Sequence, residues 1–406
     1  MKGKLSYGFF AASLMILAGT VGNVHAAWDT SGVDLVLDQT VYEELDDLAA
    51  VLPELGDAVL TAEETEVAIK TLLPSAVATS VSGGVQATGA ASTGSTLGRV
   101  AKLRSEALYA RLQQAPVGPG GPTSSQNILT SGVWGKAVGS IGDQDDINGD
   151  YGYEYDTKGA MFGFDWLASR NWLVGVNVGS VSADIDAGYN QTANTKIDSV
   201  VAGLYATYSR GIDYLDLGFS FVKGDISSRR QFIVDPIAYN VSGETDFSTY
   251  VLYANLGRNF VFNSRHIVNP YLGGQFSNTS VDGYSETGVG ALQFANQDTN
   301  LFNTNLGVKY EYIAGNQIHL KARASWAHEW SNNLQSVTRS RFTALGAGGA
   351  YFETKGLDVG ADRFGLGLGL KLNMTENLDV DLDYDLEMAE EFISHAGSFA
   401  FKYKYY

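Results

Sequence analysis

Leu378-Asp379-Val380-Asp381-Leu382-Asp383-Tyr384-Asp385-Leu386-Glu387 is the stretch whose reading decides the fold. Every even position is apolar and every odd one acidic, a period of two that belongs to an extended strand with one apolar and one charged face. The same phase holds upstream, where Phe364, Leu366, Leu368, Leu370 and Leu372 alternate with Gly365, Gly367, Gly369 and Lys371. It holds again at the end, where Phe399, Phe401, Tyr403 and Tyr405 alternate with Ser398, Ala400, Lys402 and Lys404. Five successive carboxylates on one strand face need water or counter-charges beside them. A closed transmembrane barrel offers lipid to one face and a wet interior to the other.

The composition agrees. In 406 residues, 45% hydrophobic and 18% charged, no internal apolar run reaches the roughly 18 residues of a transmembrane helix. The mean hydropathy of −0.06 is what polar–apolar alternation gives. The 47 glycines, 7 prolines, 22 tyrosines and 19 phenylalanines suit long strands ringed by interfacial aromatics. A formal charge of −18 argues against a nucleic-acid partner and against binding anionic lipid through a basic patch. The absence of cysteine removes disulfides, thiolate metal sites and a cysteine nucleophile. Lys2 and Lys4, an apolar stretch over about 9–21 and Val24-His25-Ala26 before Ala27 have the layout of a secretory signal peptide, residues 1–26. Export combined with a barrel implies a Gram-negative outer membrane.

Three regions follow the signal. Residues 27–94 read as a short passenger with helical spacing, helices being expected over 42–48 and 62–69 and ending near Pro53 and Pro74, before a small-residue stretch at 80–95. Residues 95–130 begin with Leu97, Val100, Leu103, Ala107, Leu108 and Leu112 on one apolar stripe. Arg99, Lys102, Arg104 and Arg111 flank it, making a basic amphipathic helix that a Pro/Gly linker at 116–122 ends. Residues 131–406 hold twelve alternating segments, approximately 131–141, 156–167, 171–185, 197–209, 212–226, 246–260, 266–280, 302–312, 316–328, 361–372, 376–387 and 395–406. Their connections alternate between short (168–170, 210–211, 261–265, 313–315, 373–375) and long (227–245, 281–301, 329–360). Short periplasmic turns and long extracellular loops are the rhythm of outer-membrane barrels. The fold class expected is therefore all-β, a 12-stranded antiparallel transmembrane β-barrel in a meander, preceded by a helical and linker segment.

Val133-Trp134-Gly135-Lys136-Ala137-Val138-Gly139, an acidic loop, and Tyr155-Asp156-Thr157-Lys158-Gly159-Ala160-Met161-Phe162-Gly163-Phe164-Asp165 resemble the opening of the autotransporter β-domain of type V secretion. The resemblance continues through Asn171-Trp172-Leu173-Val174-Gly175-Val176, Leu204-Tyr205-Ala206-Thr207-Tyr208, Ser325-Trp326-Ala327-His328-Glu329-Trp330, Tyr384-Asp385 and Ser394-His395. It covers about residues 130–406. It implies a barrel with a helix threaded through its lumen, here the segment from residue 95, which translocates or displays the N-terminal passenger. The partners implied are outer-membrane lipid, the barrel-assembly machinery and periplasmic chaperones, for a monomeric barrel. The alternatives are a surface adhesin whose extracellular loops meet a host or surface ligand, and a diffusion porin.

Alternation puts Asp379, Asp381, Asp383, Asp385 and Glu387 in the lumen, with Lys402 and Lys404 opposite and Arg363, Lys371, Lys321 and Arg323 on neighbouring strands. Cross-strand ion pairs are expected, and the acidic stripe is also expected to hold the helix bearing Arg99, Lys102, Arg104 and Arg111. The membrane-insertion signal falls on Ser398, Ala400, Phe401, Tyr403 and Tyr405, with Tyr406 one residue out of phase. No cofactor, metal site or enzymatic activity is expected. The acidic run at 143–150 fails a calcium loop at its first and twelfth positions, Gln144 and Tyr155. Neither His266 nor His319 is followed by the His-x-Ser pattern of barrel phospholipases.

Overall fold

The computed structural model describes residues 131–404 apart from 148–149, 235–236, 264, 316, 332–334 and 359, together with 27–28, 48, 59–60, 62–74, 81, 84–85, 89, 94 and 99 upstream. The signal peptide, the 116–122 linker, Lys102, Arg104, Arg111, Tyr405, Tyr406 and most of the helix expected at 42–48 lie outside the described residues. Twelve strands form the barrel. They are β1 (Gly132–Gln144), β2 (Tyr153–Leu167), β3 (Trp172–Ala187), β4 (Ala193–Arg210), β5 (Asp213–Val234), β6 (Ile237–Arg258), β7 (His266–Val281), β8 (Gln297–Ile313), β9 (Ile318–Glu329), β10 (Asp362–Asn373), β11 (Leu378–Ala389) and β12 (Phe392–Lys404). Each pairs antiparallel with its chain neighbour, and β12 pairs with β1 from Phe392↔Gln144 to Lys404↔Gly132, so the sheet closes on itself. Closure leaves no unpaired edge within the membrane, which hydrocarbon demands.

The period-two pattern becomes an inside and an outside. Leu366, Leu368, Leu382, Tyr384, Phe399, Phe401 and Tyr403 face outward with large exposed apolar surfaces. Lys371, Asp379, Asp381 and Lys402 are buried within. The inner wall has two characters. On β3 to β6 it is aliphatic, with Val181, Ile185, Ile197, Val201, Val222, Ile226 and Phe247 buried in one apolar cluster. On β8 to β12 it is ionic, as described below.

The long–short rhythm is less strict than the sequence suggests. Residues 227–245 are not a loop: β5 and β6 continue through them as a ladder to Val234↔Ile237. The alternation persists there, but its inward positions include Ser228 and Arg230, so hydropathy hides it. The β11–β12 connection is also tight, with Glu391 at φ 50°. Within the 281–301 and 329–360 loops a three-stranded sheet forms from 292–294, 335–342 and 352–358. Its inner face, Leu292, Phe294, Phe342, Phe352 and Leu357, joins the aliphatic cluster of the lumen. The barrel is thus roofed at its long-loop end.

Candidate functional site

Upstream of the barrel, helix α1 (Ala62–Leu72) sits under this roof. Lys70 in its last turn complements the negative end of the helix dipole, and Pro74 lies beyond its end. Its Ala68, Ile69 and Leu72, with Leu73, are buried in the same cluster as Phe232 and Val234 of β5 and Leu292 of the roof.

The seat of this helix is polar as well as apolar. The Arg230 guanidinium pairs with Glu286 through Nε to Oε1 at 3.0 Å and Nη2 to Oε2 at 2.7 Å. The two side chains are 3% and 1% exposed. The remaining Arg230 donors go to the carbonyls of Thr71 (3.2 Å), Leu72 (2.9 Å) and Gly290 (2.8 Å). Arg230 therefore caps the C-terminal carbonyls that α1 cannot satisfy internally. Thr71 returns the favour to the sheet. Beyond Gln231, whose N–H reaches Thr192, β5 has outgrown β4, and the Ile233 N–H donates to Thr71 Oγ1 at 3.1 Å. Nearby, Lys70 lies 5.0 Å over the Tyr151 ring. Burial raises the Asp150 carboxyl, an effect that Lys70 partly offsets. Burial also holds the Tyr284 phenol far above its usual range.

From the mouth the chain enters the lumen. Positions 81, 84, 85, 89, 94 and 99 are helical, so helical geometry begins within the small-residue stretch rather than after residue 95. A side chain at Gly84 would collide with the Ile185 and Ile197 ends, so the absence of a Cβ is what lets the backbone meet the aliphatic wall. Fifteen residues on, Arg99 lies against Asp165 at the short-turn end: Nε reaches Oδ2 at 2.7 Å and Nη2 reaches Oδ1 at 2.9 Å. Asp165 also accepts from Tyr205 (3.3 Å), whose oxygen accepts from Trp134 Nε1 (2.8 Å). Fifteen helical residues rise about 22 Å. Ten strand residues from Ile185 to Gly175, the partner of Asp165, span about 25 Å along the axis of a barrel with ordinary strand tilt. The two contacts are thus spaced as a helix lying along the barrel axis would space them.

The acidic stripe is paired along the wall. Lys321 reaches Asp381 at 2.7 Å and Asp383 at 3.3 Å, Arg323 holds Asp385, and Arg363 reaches Glu387 at 3.2 Å. Lys404 and Lys371 meet the fully buried Asp379 at 2.7 and 3.7 Å. Lys402 is buried beside them, in register with Asp379. His319 adds a further contact, Nδ1 to Glu311 at 2.5 Å. Arg99 pairs with Asp165 on β2, three strands round the barrel from the stripe on β11. In the insertion signal, Ser398 and Ala400 face inward and Phe401 and Tyr403 outward.

Sequence reading missed Asp165, Arg230, Glu286 and Thr71. Asp165 stood in the inward phase, but nothing local points to a partner 66 residues away. In the acidic run, Asp146 accepts the Gly152 N–H at 2.6 Å and so shapes a turn. His328 pairs with Asp362 at 2.9 Å on the outer surface, between Trp326 and Trp330.

The autotransporter β-domain family model matches residues 133–385. Among solved structures, the translocator domain of autotransporter NalP from Neisseria meningitidis superposes with a TM-score of 0.58 at 16% identity, over 78% of this chain and 98% of that one. Among curated proteins, Outer membrane protein B of Rickettsia prowazekii is 27% identical over 40% of the chain. The match spans about a tenth of that protein's length, 10%. Esterase EstA of Pseudomonas aeruginosa is 22% identical over 53% of the chain and 34% of its own length.

Proposed function

Since the chain belongs to the autotransporter β-domain family and forms an outer-membrane barrel, we propose that it carries its own N-terminal segment through the lumen and keeps it docked at the long-loop mouth, displayed at the cell surface. The observation that carries this reading is the seat of α1, where a buried Arg230–Glu286 pair caps the helix within a shared apolar cluster. A passenger that is merely released needs no such seat. The expected partners in assembly are outer-membrane lipid, the barrel-assembly machinery and periplasmic chaperones, and the barrel acts as a monomer. We read it as non-catalytic; the likeness to an esterase covers only a third of that protein, 34%.

One observation favours a second reading, loop-mediated binding to a host or surface ligand. The outer face of the roof carries exposed Arg339 and Lys355, with Arg339 and Arg341 5.8 and 5.0 Å over the Tyr351 ring. The lumen contacts at Gly84 and Arg99 weigh against free diffusion through a porin. The test is an epitope inserted after Ala27 in cells expressing the full chain. It should be labelled on intact cells and remain on the heat-modifiable barrel band. Labelling only after permeabilisation, or loss of the tag to the medium, would refute retained display.

A further inference from the structure

The acidic stripe is not evenly buried. From the short-turn end to the long-loop end its side chains are 0% exposed at Asp379, 3% at Asp381, 14% at Asp383, 39% at Asp385 and 46% at Glu387. Their cationic partners follow the same order, from 3% at Lys371 through 23% at Lys321 and 35% at Arg323 to 37% at Arg363. All of them stand in the inward phase of their strands, so the gradient describes space inside the barrel. That space is a water-filled taper, wide toward the long loops and closed toward the short turns. The small inward residues of β12 repeat it: Ala396 and Ser398 are half-buried, whereas Ala400 is buried. Ser394, nearer the loops, is covered by Tyr155, whose hydroxyl lies 2.8 Å from Ser394 Oγ.

The taper lies away from the seats of the N-terminal segment. The roof and α1 pack on an apolar cluster whose buried barrel residues come from β1 to β6, and among the described residues β8 to β12 contribute none. Gly84 and Arg99 likewise meet β2, β3 and β4. The four residues from Asp383 to Glu387 span about 13 Å of strand, or about 10 Å of depth at ordinary strand tilt. Below them the wall draws together. Fully buried Asp379 has Lys404 at 2.7 Å and Lys371 at 3.7 Å, with Lys402 in register beside it. One level up, Lys321 ties Asp381 to Asp383.

We propose that the β9–β12 side of the lumen is a half-channel for water and small ions, open to the cell exterior and shut at its short-turn end by an ionic gate of Asp379 with Lys371, Lys402 and Lys404. The long-loop end faces outward from the cell. The gate is tight because its charges are desolvated together: one carboxylate offsets ammonium groups that water no longer reaches. Without that carboxylate the buried ammonium groups repel one another. They recover hydration only by moving apart, which lets water between them. The gate belongs to the wall and is separate from the anchors at Arg99 and Arg230. It therefore goes beyond the display reading and stands whatever the fate of the N-terminal segment.

The chain has no cysteine, so single cysteines report cleanly. On intact cells expressing the full chain, a membrane-impermeant cationic methanethiosulfonate should label Ala396→Cys and should label Ala400→Cys at least about tenfold more slowly. In planar bilayers, Asp379→Asn should raise the closed-state current of the full-length protein at least about twofold. Tryptic cleavage after Lys70 should stay at the wild-type rate, which shows that the helix remains seated. Lys404→Ala, which shortens a gate side chain, should raise the current in the same way and serves where Asp379→Asn does not assemble, heat-modifiable mobility reporting assembly. An inert Ala396→Cys would remove the vestibule, and an Ala400→Cys as reactive as Ala396→Cys would remove the seal. A closed-state current unchanged in the assembled variants, or raised only together with faster cleavage after Lys70, overturns the gate and leaves closure to the N-terminal segment.

Discussion

Replacing Arg230 by alanine should open the mouth of the barrel while leaving the barrel intact. The guanidinium makes five hydrogen bonds, two to Glu286 and three to the carbonyls of Thr71, Leu72 and Gly290. Its loss leaves the Glu286 carboxylate buried with only the Leu292 N–H at 2.9 Å, and returns the helix carbonyls to an apolar cavity. Removing one partner of a buried ion pair costs about 3–5 kcal/mol. Two of these bonds join α1 to the mouth and three tie β5 to the 281–301 loop that covers it, so the loss falls on the opening of loop and helix together and not on the pairing of the barrel strands. The undocked population should therefore rise about 10²- to 10³-fold or more. The chain supplies its own reporter. Between residues 27 and 98 the only lysine or arginine is Lys70, within α1. Tryptic cleavage after Lys70, followed on folded full-length protein in detergent, tracks the open population when closing outpaces cleavage. The variant should be cut at least about a hundredfold faster than wild type, with heat-modifiable mobility unchanged. A cleavage rate within about threefold of wild type would mean that Arg230 does not hold the helix.

At the other end of the lumen, Asp165→Asn strips the counter-charge from buried Arg99, again at a cost of about 3–5 kcal/mol. Single-channel recordings in planar bilayers should then show long open events that wild type lacks; silent traces would show that Arg99 is not an anchor. Changing Asp381 and Asp383 together to asparagine frees Lys321, and if the stripe also holds the lumen helix, conductance should rise. Unchanged plugging would limit the stripe to the wall. For pH, burial raises the Asp150 carboxyl, so between its ordinary 3.8 and the raised value the folded state carries a proton that the unfolded state lacks. That stabilisation is present in acid and is lost as pH rises through the raised value. Hydrogen exchange at the 151–153 amides, corrected for intrinsic rates, should slow on mild acidification in wild type and lose that dependence in Asp150→Asn.

The barrel was legible in the sequence wherever one strand face meets lipid and the other a uniform polar interior. Asp379 to Glu387 fixes inside and outside at β11, and the closing pair of β12 and β1 follows from an even strand count. Legibility fails where the lumen itself is apolar or mixed. Along 227–245 the inward positions include Ser228 and Arg230 beside Phe232, so a continuous ladder reads as a loop. The small residues at 80–95 carry no amphipathic stripe, because Gly84 is selected by the space before Ile185 and Ile197 and not by a water–oil boundary. The contacts that define the site, Arg99–Asp165 and Arg230–Glu286, join residues 66 and 56 apart across independent elements. Charge alone points Arg99 to the densest acidic run. The fold sends it to a single aspartate three strands farther round the ring.

The two anchors at opposite ends of a closed ring make the molecule a rotaxane in the chemist's sense. Leu72 is held at one mouth, Arg99 at the other, and the chain re-enters the ring wall at Gly132, paired to Lys404. A threaded axle with a stopper cannot be assembled by folding the axle first and closing the ring beside it. Either the ring shuts around a strand already inside, or the segment passes through before α1 finds its seat. Once seated, α1 is wider than a bare chain and resists being drawn back. On either route the bonds from Arg230 to the Thr71 and Leu72 carbonyls can form only once the mouth and α1 have met.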